Sequence, residues 1–177
     1  MVNDHGQNTN AARNDSLSHM PIVTYGRWRL DCDTAVTRQK YAQIASGAPE
    51  VCGCATCRNF AAARKQIYPT TALRLFEELG IAVGREAEVY HNCRLAPGQH
   101  RYGGWFHLVG TVVSGADASR SIGENAWTFD LEDVNDAFKM GFTCRIGLLS
   151  KVFEGYPVVQ LEFQAIAPWL LSKDEPE

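Results

Sequence analysis

Apolar and polar positions change their spacing near Gly84. Before this point apolar residues recur every three or four positions, which predicts helices over about 55–67 and from Pro69 to a left-handed cap at Gly80. After it they alternate with polar residues, which predicts strands over 86–93, 102–113 and 157–166. The first two of these strands, joined at Pro97-Gly98, are predicted to form an antiparallel hairpin.

The remaining segments complete the pattern. Residues 22–31 are rich in bulky β-prone side chains and predict one strand, followed by a helix that Asp33 or Thr34 caps and that runs to about residue 46. Residues 114–125 are polar and predict a loop, and residues 132–140 predict a helical turn. One strand, then helices, then many strands predicts an α+β domain with a mostly antiparallel sheet.

Domain limits follow from polarity. Residues 1–20 are polar, with no apolar period, and predict a disordered arm; residues 172–177 predict an acidic tail. The stretch between, 21–171, is long enough for a single α+β domain with its own core. The first residues lack the apolar centre of a signal peptide, so we expect a cytoplasmic protein.

Charge limits the classes of partner. The net charge is −3 over 177 residues, which disfavours general binding to nucleic acid, and no apolar run reaches the ~20 residues that a membrane span needs. An unidentified protein partner is the remaining macromolecular candidate.

The strongest chemical signal is the C-x-C-x-x-C run of Cys52, Cys54 and Cys57. Three thiols so close together in a reducing compartment are typical of a metal site, because thiolates repel one another unless a cation binds them. Zinc is the expected ion, and the helix that follows brings backbone N–H groups towards the sulfurs. We therefore predict a helical, metal-stapled insertion in the N-terminal half.

A structural zinc site needs a fourth ligand. His91 is our first choice, His107 the second, and Cys93 close behind, because period-2 alternation places residues 91 and 93 on the same strand face. Three further side chains are candidates for this position: His100, Cys32 and Cys144.

Several longer motifs resemble a group of uncharacterised bacterial proteins. They are C-x-C-x-x-C-x-N-F at 52–60, Leu-Gly-Ile at 79–81, Glu-Val-Tyr-His at 88–91, Tyr-Gly-Gly-Trp-Phe-His-Leu-Val-Gly at 102–110 and Pro-Val-Val-Gln-Leu-Glu-Phe at 157–163. The resemblance implies one coherent domain from about Trp28 to Trp169 and implies no activity.

Three functions stay open. The leading hypothesis is a small zinc-binding protein whose metal is structural and whose role is interaction, because metalloprotease, hydrolase and deaminase signatures are missing from the sequence. The alternatives are a zinc enzyme with an open metal position and Glu88 or His91 as proton carrier, and a thiol redox protein that uses Cys54 and Cys57. Glu86 and Glu88 are expected on an exposed polar strand face rather than as an acid/base pair.

Overall fold

A computed structural model describes residues 22–124, 126–171 and 175–176. Within them the α+β class and the mostly antiparallel sheet are confirmed, and every strand pairing is antiparallel. The predicted arm over 1–20 lies outside the described residues, and of the predicted tail only Glu175 and Pro176 are described. None of the helices in this part of the chain is long and apolar enough to cross a membrane.

The described chain contains nine strands, four α-helices and one short 3₁₀ helix. The strands are β1 (Ile22–Tyr25), β2 (Trp28–Cys32), β3 (Glu88–Ala96), β4 (Gln99–Ser114), β5 (Ser119–Gly123), β6 (Ala126–Phe129), β7 (Glu132–Asn135), β8 (Phe138–Thr143) and β9 (Val158–Pro168). The helices are α1 (Thr34–Tyr41), α2 (Ala48–Cys52), α3 (Ala55–Ile67), α4 (Thr70–Leu79) and the 3₁₀ helix Lys151–Phe153.

Strand β4 organises the main sheet. Its first half pairs with β3, its second half pairs with β2, and its other edge pairs with β9 along most of its length. Beyond β9 lie β8 and β7, while β5 and β6 form a separate two-stranded sheet. Strand β9 is therefore the link between the two parts of the main sheet.

One face of this sheet carries the hydrophobic core. Phe60 of α3, Phe106 of β4 and Phe163 of β9 are buried there, with the Phe60 and Phe163 ring centroids 6.1 Å apart. Tyr68, which follows α3, lies 5.6 Å from Phe163 by ring centroids. Helices α3 and α4 thus cover the sheet through aromatic contacts, which provide much of the buried apolar area.

Helix boundaries agree with the sequence where caps are clear. Helix α3 spans the predicted residues, Asp33 caps α1 by accepting from the Val36 N–H, and Gly80 ends α4 with φ 77°. A side chain at residue 80 would also meet the Thr34 carbonyl, so glycine is required there for space as well as conformation.

Two element predictions are wrong. Residues 22–31 form a hairpin rather than one strand, because Gly26 adopts a left-handed conformation and turns the chain between β1 and β2. Residues 132–140 form the β7–β8 hairpin rather than a helical turn, because the Asn135 side chain accepts from the Ala137 N–H and closes a turn.

Two short elements were not predicted. Helix α1 ends at Tyr41, before the predicted end near residue 46, and the separate helix α2 follows, with Pro49 in its first turn, where the missing N–H costs nothing. Part of the expected loop 114–125 forms β5, which pairs with β6.

Candidate metal centre

The three cysteines of the predicted site lie at the junction of α2 and α3. Cys52 is the last residue of α2, Cys54 is the N-cap of α3, and Cys57 belongs to the first turn of α3. Gly53 between them has φ 63°, a conformation that favours glycine, and it reverses the chain so that the flanking thiols converge. The local backbone thus brings the thiols together as predicted.

The sulfur positions suit one metal ion. The three Sγ atoms all lie within 4.8 Å of one another, with Cys52 and Cys54 exposed and Cys57 buried. In a tetrahedral zinc site with Zn–S bonds of about 2.3 Å, sulfurs are roughly 3.8 Å apart, so small side-chain movements would close the group on an ion. Cys52, Cys54 and Cys57 can therefore hold a metal ion. The donor set does not identify which metal.

The environment differs between two of the thiols. The Cys54 Sγ lies 3.3 Å from the Thr56 hydroxyl and also accepts from the Cys57 backbone N–H. These two hydrogen bonds lower the pKa of Cys54 to about 6. Burial, together with Cys54 and Cys52 nearby, raises the pKa of Cys57. A thiolate is thus available at neutral pH at the exposed end of the group, where an ion would arrive.

Helix α3 is held on the sheet just past the cysteines. Asn59 donates to the Tyr102 hydroxyl at 3.2 Å and to the Pro168 carbonyl at 3.0 Å, and its side-chain oxygen accepts from the Leu170 N–H at 2.7 Å. Because these bonds satisfy a fully buried amide, the start of α3 has a fixed position on β4 and β9.

The first-choice fourth ligand, His91, lies outside the thiol group. Its Nε2 is 2.8 Å from Nδ1 of His100, whose Nε2 is 3.1 Å from a Glu175 oxygen. Its ring centroid is 5.3 Å from that of Tyr102, on the sheet face that α3 covers. The group of converging metal-binding atoms holds the three cysteines without His91, so its assignment as the fourth ligand stays a prediction.

The expectation that residues 91 and 93 share a strand face is wrong. His91 pairs with Tyr102, but Cys93 pairs with Arg101, the next residue of β4, because β3 has a bulge between positions 91 and 93. Neighbouring residues of β4 point to opposite faces, so the Cys93 side chain is directed away from the face that carries His91.

The other candidates are also separate from the thiols. The described residues contain one group of three or more metal-binding side chains, and none of these candidates belongs to it. Cys32 is buried in β2, and Cys144 is exposed just after β8. His107 is buried beside a cavity that α2 lines, and His100 is buried beside Trp169.

Glu86 is not on an exposed strand face, which corrects the expectation for this residue. It is buried, and its carboxylate accepts from Arg64 Nε at 3.1 Å, Arg64 Nη2 at 3.0 Å and the Tyr68 hydroxyl at 2.9 Å. Arg64 also pairs with Glu50 of α2 at its Nη1. This network fastens α2 and α3 to the segment that precedes β3.

A second buried polar cluster was not predicted. On the sheet face opposite the core, Glu162 is only 1% exposed and accepts from Gln160 at 2.8 Å and from the Tyr90 hydroxyl at 3.1 Å. Burial raises the pKa of Glu162 to about 7, although both hydrogen bonds lower it. The alternating pattern of β9 gave no signal, because Gln160 and Glu162 have the period of a solvent-exposed strand face.

Comparisons with known proteins give no relative. No family model matches the chain, and neither the curated proteins nor the solved structures contain a match.

Proposed function

We propose that the chain is a zinc-binding protein in which Cys52, Cys54 and Cys57 hold the ion. The observation that carries the proposal is the convergence of three thiols at one helix junction. Zinc is favoured because soft thiolates select zinc, copper(I) or iron–sulfur clusters, and the group lacks the fourth cysteine of a common iron–sulfur site.

We further propose that the ion is structural. Helix α2 has five residues, too few to be stable alone, and an ion bound to Cys52 and to two residues of α3 would fasten it in place. His91 remains our candidate for the fourth position, since it lies on the sheet face that α3 covers.

An interaction role is favoured over catalysis. The cavities described for these residues include no cysteine in their linings, whereas catalytic metals are typically held inside such a cleft. Exposed Cys52 and Cys54 instead present the site on the surface, where a protein partner can contact it. Membership of the bacterial group whose motifs the chain resembles is part of this proposal.

The first test is metal content of protein purified without a metal-affinity tag. We expect about one zinc per chain in the native protein and in Cys144→Ser, a matched variant with an exposed cysteine outside the group. Cys57→Ser should lose the ion and about 10 °C of thermal midpoint, given roughly 4 kcal/mol of linked stability. Zinc-free native protein, or equal metal content in the two variants, would refute the proposal.

Thiol redox chemistry is the second candidate function. It rests on the position of Cys54, exposed at the N-terminus of α3, with the buried Cys57 three residues later. Under mild oxidation this function predicts a Cys54–Cys57 disulfide, detectable by peptide mass spectrometry, whereas bound zinc predicts that both thiols resist oxidation.

A zinc enzyme is the remaining alternative, and ligand number separates it from a structural site. X-ray absorption that gives four protein ligands favours the structural role, whereas three sulfurs with one water oxygen favours catalysis.

A further inference from the structure

A cavity of about 270 Å³ lies beside α2. Its walls come from α1 and the loop after it, from α2, from the segment before β3, from β4 and from the segment around the 3₁₀ helix. The lining includes Tyr41, Ile44, Val51, His107, Leu148 and Phe153. Most of this lining is apolar, as in typical small-molecule sites.

Polar residues also line the cavity, among them Arg85 and Glu86, whose side chains have hydrogen-bond partners, whereas His107 differs from them. It is 1% exposed, and neither of its ring nitrogens has a hydrogen-bond partner among the described residues. The nearby Gln160 side chain and Gly147 backbone act on the His107 ring without meeting hydrogen-bond geometry, and they bond to each other, since Gln160 Oε1 accepts from the Gly147 N–H at 2.8 Å. A buried polar ring without a partner costs free energy, which a ligand with a complementary group would recover.

The rim of the cavity has two unusual features. Leu148 has φ 41°. Among the described residues it is the one non-glycine residue with a positive φ, although its bulky side chain disfavours that conformation. Leu148 and Val51 are also 67% and 75% exposed. Backbone strain of this kind is concentrated at binding sites, and two exposed apolar side chains at a cavity entrance provide contacts for an apolar ligand.

We propose that this cavity binds a small aromatic alcohol or a similar, mainly apolar molecule, whose polar group forms a hydrogen bond with His107. A cavity of about 150 Å³ already accommodates benzene, so the larger volume here fits one ring with a few additional atoms. Burial lowers the pKa of His107, against smaller opposing effects of Gln160 and the Gly147 backbone, so the neutral ring offers both a donor and an acceptor.

The test compares phenol with toluene, which has nearly the same shape but carries a methyl group in place of the hydroxyl. In the full-length protein, NMR titration should show phenol binding about fivefold more tightly, the effect of roughly 1 kcal/mol from one net hydrogen bond. The imidazole ¹⁵N signals of His107 should shift with phenol and not with toluene. Equal affinity for both, or His107 signals unchanged at millimolar phenol, would overturn the proposal and indicate that the cavity holds only solvent.

Variants make the location specific. His107→Leu should abolish the preference for phenol while toluene still binds. Val51→Ser should weaken phenol binding about twofold to fivefold, whereas Val113→Ser, an exposed valine at the end of β4 outside the cavity lining, should leave it unchanged.

Further measurements separate loss of ligand binding from misfolding and from loss of the metal. If His107→Leu fails to fold, the native His107 signals and the Val51/Val113 pair still decide the outcome. Equal phenol affinity in the two valine variants would overturn the location. Zinc content measured in Val51→Ser should equal that of the native protein, so a failed metal proposal and a failed ligand proposal remain distinguishable.

Discussion

Cys54 and Cys57 are three residues apart, yet the pKa of the Cys54 thiol is lowered and that of the Cys57 thiol is raised. The Thr56 hydroxyl and a backbone N–H stabilise the thiolate of Cys54, whereas burial disfavours the charged form of Cys57. Of these two thiols, Cys54 therefore ionises at the lower pH, and its exposed thiolate can bind a cation from solution first.

We predict the order of alkylation in zinc-free protein. The rate for Cys54 with iodoacetamide should rise with a midpoint near pH 6 and be flat above about pH 7, because only the thiolate reacts. Cys144 is the matched control, since burial and Asp117 raise its pKa and its rate should still increase at pH 9. Peptide mass spectrometry measures both rates, and a shared pH profile would contradict the assigned environment.

At the scale of elements, α2 connects two sites. Cys52 contributes to the thiol group, Val51 and Ala48 line the cavity, and Glu50 pairs with Arg64 of α3. A helix of five residues depends on such contacts, because its own hydrogen bonds do not offset the entropy of ordering it.

We therefore predict that zinc removal loosens α2 selectively. Hydrogen–deuterium exchange of residues 48–54 should accelerate at least tenfold after chelation, since local opening no longer breaks metal–sulfur bonds. Helix α4 is the internal control, because it carries no cysteine and packs on the core. Equal acceleration of exchange in α4 would indicate that the ion stabilises the whole domain and not α2 in particular.

Stability against pH is a property of the whole molecule, and Glu162 should influence it. Its folded-state pKa of about 7 lies above the ordinary 4.5, so the folded protein keeps a proton that the unfolded chain has lost between these values. This contribution to stability is therefore present at low pH and is lost as pH rises from about 4.5 to about 7.

Glu162→Gln should remove that dependence. The amide stays neutral and keeps partners in Tyr90 and Gln160, so we expect the free energy of unfolding at pH 8 to increase by on the order of 2 kcal/mol and to change little at pH 4.5. Glu154→Gln, at an exposed position, is the control. Urea unfolding at both pH values measures the difference, and a native-like pH profile in Glu162→Gln would contradict the prediction.

Local signals in the sequence were sufficient for part of this fold. The caps at Asp33 and Gly80, the apolar spacing of α3 and α4, and the Pro97-Gly98 turn all act within a few residues, so they were readable. The thiol group was predictable for the same reason, since its three members span six residues.

The features that were missed depend on distant contacts. The bulge in β3 alters the face of Cys93, and only pairing with β4 reveals it. Val134 and Phe138 are spaced as in a helix, but pairing of β8 with β9 gives an extended chain there. Buried Glu162 and His107 have polar side chains at positions that read as solvent-exposed until the covering segments are known.

Strand β9 has a consequence for biosynthesis. It lies between β4 and β8, which do not pair with each other, and it is the last of the described strands to be synthesised. Until it leaves the ribosome, both neighbours expose an unpaired edge together with the aromatic face beneath α3. The nascent chain therefore completes its core only when β9 becomes available, and until then its exposed edges favour chaperone binding.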